Sequence, residues 1–163
     1  MTRKTRINYH RKSQGKTDYK KRLTLLKSRS ERLVIRRSNK YLIAQIVQYE
    51  PDGDKTIVGV SSKELQKFDW KNSCKNIPAC YLTGLLLAKK ANAKKISSAI
   101  LDLGLQSPAK GSRLYAVLKG VIDGNISVPC SDKIFPPEER LNGKYLSDKI
   151  SKDIETIKLK IKG

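Results

Sequence analysis

The stretch Arg32-Leu33-Val34-Ile35-Arg36-Arg37-Ser38-Asn39-Lys40-Tyr41-Leu42-Ile43-Ala44-Gln45-Ile46-Val47-Gln48-Tyr49 decides the fold. Its first six residues are rich in β-branched side chains, which suit a pleated surface. Ser38-Asn39-Lys40 supplies turn chemistry. Tyr41 to Tyr49 alternates loosely around Ile43, Ile46 and Val47, the pattern of a strand. A second turn follows at Pro51-Asp52-Gly53-Asp54, with Gly53 suited to a positive φ. Thr56-Ile57-Val58-Gly59-Val60 then completes an antiparallel meander.

N-terminal to the meander, Thr17 suits an N-cap, with Asp18 in the first turn. The helix it opens runs from Tyr19 to Lys27 and puts Tyr19, Leu23 and Leu26 on one stripe. Before it, Met1 to Lys16 holds six cations around Ile7 and Tyr9. So little apolar surface cannot repay the entropy of ordering, so this arm is expected to fold only on a partner.

Downstream, Ser62-Lys63-Glu64-Leu65 opens a short helix, and Lys67-Phe68-Asp69-Trp70-Lys71 interleaves basic and aromatic residues, its Phe68 and Trp70 suited either to the core or to stacking on unpaired bases. Pro78 suits the first residue of a helix that carries Ala79, Leu82, Leu85 and Leu86 on one face and ends near Lys89-Lys90. Ile96 to Leu103 reads as a short strand stopped by Gly104. Leu114, Val117, Leu118, Val121 and Ile122 follow helical spacing, with Gly124 as the stop. Ile126 to Val128 reads as an edge strand. Ile150, Ile154, Ile157 and Ile161 mark a tail helix, expected to be solvated or docked on a partner.

A meander followed by helix, strand and helix predicts an α/β fold. It is a mixed sheet with an N-terminal antiparallel meander, flanked by helices, plus a basic N-terminal arm and a C-terminal helix. The expected divisions are a basic arm over 1–16, an α/β domain over 17–135 and a helical tail over 136–163.

Charge narrows the function. The chain has 163 residues, 35 of them Lys or Arg against 15 acidic, a net charge of +20. Residues 1–40 alone hold 15 of the basic side chains and only Asp18 and Glu31 on the other side. Such a lopsided field calls for a polyanion, and phosphate contacts by Lys and Arg release condensed counterions. No run of about 18 apolar residues suggests a bilayer span, and the opening residues lack the apolar run of a signal peptide. A cytoplasmic, membrane-free role is expected.

The sequence assembles no catalytic constellation. There is no phosphate-binding glycine loop or dinucleotide fingerprint. Cys74, Cys80 and Cys130 are odd in number and lack C-x-x-C spacing, and His10 is the sole histidine. A zinc site and a His-dependent triad are both poorly supported, and no cofactor is expected. Asp102, near a strand end, is the one tempting member of a metal-dependent nuclease site. That nuclease, or a general nucleic-acid-compacting protein, is the alternative to plain RNA binding.

RNA-binding candidates are plentiful. Arg3, Lys4, Arg6, Arg11, Lys12 and Lys16 line the arm; Tyr19, Lys20 and Arg22 lie on the first helix. Arg36, Arg37, Ser38, Asn39, Lys40 and Tyr41 form one strand–turn–strand corner, where guanidinium forks match phosphate oxygens and a tyrosine can stack on an unpaired base. Lys110 and Arg113 flank a helix start whose free N–H groups suit a phosphate.

Gly15-Lys16-Thr17-Asp18-Tyr19-Lys20-Lys21-Arg22-Leu23, then Arg36 to Tyr41 with Ala44-Gln45-Ile46-Val47, closely resemble the 5S-rRNA-binding large-subunit ribosomal protein family called L-eighteen, its archaeal branch most of all. Pro78-Ala79 with Tyr81-Leu82-Thr83-Gly84-Leu85-Leu86, Leu101-Asp102-Leu103-Gly104-Leu105, and Lys110 to Arg113 with Leu118-Lys119-Gly120 agree in the same order, and Pro136 to Arg140 continues the match. The resemblance implies an α/β domain whose basic arm and sheet surface grip 5S rRNA, with contacts to the large-subunit rRNA. It also implies neighbours among the other 5S-binding and central-protuberance ribosomal proteins, and no enzymatic activity.

Overall fold

β1 (Arg32–Arg37), β2 (Leu42–Gln48) and β3 (Lys55–Ser61) form the antiparallel meander that the alternation predicts. The computed structural model describes residues 7–107 and 109–162. Inner-face residues meet directly across the strands: Leu33 opposite Ile46, Ile35 opposite Ala44, and Ala44 opposite Val60. All five are buried. A register shift at Ile46/Val47 leaves Ile57 as the extra residue of a bulge, a local twist that alternation alone does not reveal.

β4 (Ile100–Asp102) adds to the other side of β1 in parallel, giving the order β3-β2-β1-β4. The strand is shorter than the Ile96–Leu103 run suggested. Lys95 adopts a left-handed φ of 61°, and the following residues pair elsewhere, Ala99 N–H donating to Ser127 O and Ser127 N–H to Ser97 O. The expected edge strand at 126–128 is correspondingly a single bridge, Ser98 to Ser127.

Two helices cover the inner face. α3 (Ile77–Asn92) is capped by Asn76, whose side chain accepts from Ala79 N–H at 2.9 Å, so Pro78 stands second rather than first. The expected single apolar face is in fact buried nearly all round, because sheet, α4 and the C-terminal helix each take a side. α4 (Arg113–Asp123) keeps the predicted helical spacing and stops at Gly124. α3 and α4 run in the same direction and cross at Gly84 and Gly120, backbone against backbone.

The C-terminal elements are α5 (Glu138–Leu141) and α6 (Asp148–Lys162). The solvated reading of α6 is corrected: Ile154, Ile157 and Ile161 join the main core, against α3. Lys160 pairs with Asp69 at 2.6 Å, and the Lys158 ammonium stands over the Tyr81 ring at 4.8 Å. Isoleucine spacing showed the stripe but not what would cover it.

Candidate nucleic-acid interface

The outer face of the sheet carries the even-numbered residues of β1, because side chains alternate along a strand. Arg32, Val34 and Arg36 therefore face away from α3 and α4. Arg32 is 2% exposed, an unusual burial for a guanidinium, and such groups require partners. Its Nη1 donates to Asp102 Oδ2 at 2.8 Å. Its Nη2 stands 2.7 Å from Asp54 Oδ2, close but out of line for a hydrogen bond, so that contact is ionic. Arg22 donates to the other Asp54 oxygen at 2.8 Å.

Partial burial raises the Asp54 pKa, but the contacts of Arg22 and Arg32 outweigh it and the net shift is downward. Arg22 is raised in turn, led by its hydrogen bond to Asp54. A depressed carboxylate adds stability above its unfolded value, about 3.9, and loses it as pH falls through the folded value. The urea midpoint should therefore drop between about pH 5 and pH 2, and Asp54→Asn should flatten that drop. Superimposable pH profiles for the two proteins would contradict this.

α2 (Tyr19–Leu26) lies across this face. Its cap is Asp18, not Thr17: Asp18 Oδ1 accepts from Lys20 N–H at 3.0 Å and Lys21 N–H at 3.1 Å. Thr17 instead accepts from Arg11 Nε at 3.0 Å. Lys21 Nζ donates to Gly104 O at 2.9 Å, tying the helix to the loop after β4. The described part of the arm contains one helical turn, α1 (His10–Ser13), with no buried residue. Tyr9 and Tyr19 meet with ring centroids 5.0 Å apart. Lys12, Lys16 and Lys20 are exposed, whereas Arg22 is engaged by Asp54. Arg3, Lys4 and Arg6 lie outside the described residues.

The corner splits in two. Arg36 and Arg37 are consecutive on β1, so they project from opposite faces and cannot fork onto one phosphate. Ser38 holds the turn: its hydroxyl donates to Tyr41 O at 2.9 Å and accepts from Tyr41 N–H at 3.0 Å. Tyr41 is half-buried and packs on the core. Asn39 and Lys40 are exposed at the tip. Because β4 is parallel to β1, the loop carrying Lys110 leaves the sheet at the same end as Arg36 and Arg37. Gln106 records this: its Nε2 donates to Ile35 O at 2.8 Å. Lys110 is exposed, and Arg113 Nη1 reaches Lys75 O at only 3.4 Å.

Between α2 and the outer sheet face lies a cleft of about 450 Å³. Arg11, Lys16, Lys21 and Arg22 line it from the arm and α2; Arg36, Gln45 and Val47 line it from the sheet. Residue-type reasoning missed Lys21, Arg32, Gln45 and Gln106. Strand parity could have put Arg32 and Gln45 on the outer face; nothing local marks Gln106.

The nuclease reading loses its one candidate, since Asp102 is engaged by Arg32 and by Gly104 N–H. Among the described residues, no group of three or more His, Cys, Asp or Glu could hold a metal ion. No described helix is long and apolar enough to cross a membrane. Cys74 and Cys80 are buried and Cys130 is exposed; burial pushes the Cys80 thiol up to about 12.

Comparison with known proteins gives a family. Residues 3–98 match the family model described as "Ribosomal large subunit proteins 60S L5, and 50S L18". The chain is 48% identical over 142 residues to the "Large ribosomal subunit protein uL18" of Korarchaeum cryptofilum (strain OPF8), covering 87% of this chain and 73% of that protein. More than half of the chain matches the model and most of it aligns with this relative, so the chain belongs to the uL18 family of large-ribosomal-subunit proteins.

Proposed function

We infer that this chain is a structural, non-enzymatic component of the large ribosomal subunit that binds 5S rRNA and helps attach it to the large rRNA. Its place would be the central protuberance, beside other 5S-binding ribosomal proteins. One observation carries the reading. Arg36, Arg37, Asn39 and Lys40 project from one hairpin end and are exposed, and none makes an ion pair or side-chain hydrogen bond to a described residue. Nearby carboxylates are engaged elsewhere: Asp54 and Asp102 with arginines, Asp18 in capping. Cations left uncompensated at one end of a sheet fit an external polyanion.

The test is a filter-binding titration of Arg36→Ala/Arg37→Ala against a 5S rRNA transcript across salt concentrations. Each phosphate contact contributes roughly −0.9 to the slope of log K against log salt on a duplex, so the slope should flatten by about two. Affinity near physiological salt should fall by about tenfold or more. An unchanged slope would remove the hairpin end from the interface. Equal affinity for duplex DNA would favour the compacting-protein reading.

A further inference from the structure

We propose that the cleft between α2 and the outer sheet face is a receptor for a single unpaired nucleotide of the bound RNA, resting on the RNA-binding reading above. At about 450 Å³, it falls within the range of small-molecule pockets, roughly 300–1,000 Å³. Its walls have the two chemistries that a nucleotide needs. Arg11, Lys16 and Arg36 line it with positive charge, and its acidic members are already committed. Asp18 caps α2, Asp54 holds Arg22 and Arg32, and Asp102 holds Arg32 and Gly104 N–H. The cleft is thus left cationic, as a phosphate requires.

The second chemistry is amide. Gln45 lines the cleft and its amide makes no hydrogen bond to a described residue. Gln106 also lines it but is committed, its Nε2 donating to Ile35 O and Leu103 O and its Oε1 shut from solvent. The Gln45 amide offers both a donor and an acceptor. A bare phosphate offers acceptors to the cations and nothing to the amide's carbonyl oxygen. A nucleotide offers both, an anionic phosphate and a base edge carrying donors and acceptors. Leu25 and Val47 supply apolar wall for the base faces. Unpaired bases are the parts of RNA free to be splayed out and read in this way.

The test footprints a 5S rRNA transcript bound by the full chain, using dimethyl sulfate and carbodiimide to probe base edges. The wild type should shield one unpaired base at its pairing edge. Gln45→Leu should lose that shielding and about tenfold in affinity, the equivalent of one or two buried hydrogen bonds. Because the Gln45 amide has no intramolecular partner, the fold should tolerate the change. Gln45→Glu, which keeps the side chain's shape but puts an anion where the amide stood, should do the same. Arg37→Ala, on the opposite face, should weaken binding and leave the base shielded. Gln45→Leu and Gln45→Glu footprints identical to the wild type's, with tight binding throughout, would overturn the nucleotide site and leave the RNA reading standing. A wild-type chain that fails to bind the transcript would overturn both.

Discussion

Gly84→Ala is expected to cost about 3 kcal/mol of stability and to lower the melting temperature by roughly 6–12 °C for a domain of this size. Two effects oppose each other. Replacing glycine by alanine within a helix is favourable by about 1 kcal/mol. Here, however, the added methyl would collide with Val117 O and lie 3.0 Å from Val121 N and 3.1 Å from the Gly120 Cα. These are backbone atoms of α4, which cannot swing aside as a side-chain tip would. The helices must part, and the close packing between them is lost along their length. Gly120→Ala meets Tyr81 O and Leu85 N in the same way. The two substitutions relieve or damage one crossing, so their effects should not add. Gly59→Ala is the control: its new methyl would find Gln45 Cγ at an ordinary 3.6 Å. A Gly84→Ala protein that melts with the wild type would contradict the crossing.

That glycine pair shows where sequence reading stops. The apolar period of α4 was legible because it is local, repeating over Leu114, Val117, Leu118 and Val121. The need for Gly120 was not, since it arises only where another helix crosses. The same division runs through the sheet. β1 and β2 are joined by a short turn, so their alternation fixed them. β4 pairs with β1 from far along the sequence, Arg32 opposite Ile100 and Val34 opposite Asp102, and its three-residue length follows from long-range pairing. For the interface, the cations of the corner stood out as residue types. That Ser38 is spent on the turn, and that the two arginines face opposite ways, required a register. Arg32 looked like any other strand arginine until Asp54 and Asp102 were placed around it.

Arg32→Leu should destabilise the protein by about 3 kcal/mol at neutral pH, the lower end of the range for breaking a buried ion pair. The loss stays at that lower end because Asp54 retains Arg22 and its side chain is 24% exposed. Asp102 would keep only its hydrogen bond from Gly104 N–H as a half-buried anion beside an apolar side chain. The loss should lie mostly in that stranded charge rather than in the missing contact. Adding Asp102→Asn to Arg32→Leu should therefore recover a good part of it, since removing both members of a buried pair is often near neutral. Urea denaturation of the two single variants and the double variant closes the cycle. If the double variant is as unstable as the sum of the singles, the charges were not coupled. Because Arg32, Asp54 and Arg22 together pin α2 to the sheet, Arg32→Leu should also loosen the roof of the cationic cleft.

The position of α6 has a consequence for how the chain is made. Translation delivers residues in order, and domains begin to fold as they emerge. Once the chain has emerged as far as Ser147, every strand and both central helices can form, yet the flank of α3 that Ile154, Ile157 and Ile161 will cover is still bare. A nascent chain at that stage is strongly positive and greasy on one side at once, open to adhesion on two counts. The final turns of α6 work as a closing latch: the body is sealed only once Ile154, Ile157 and Ile161 have reached the flank of α3.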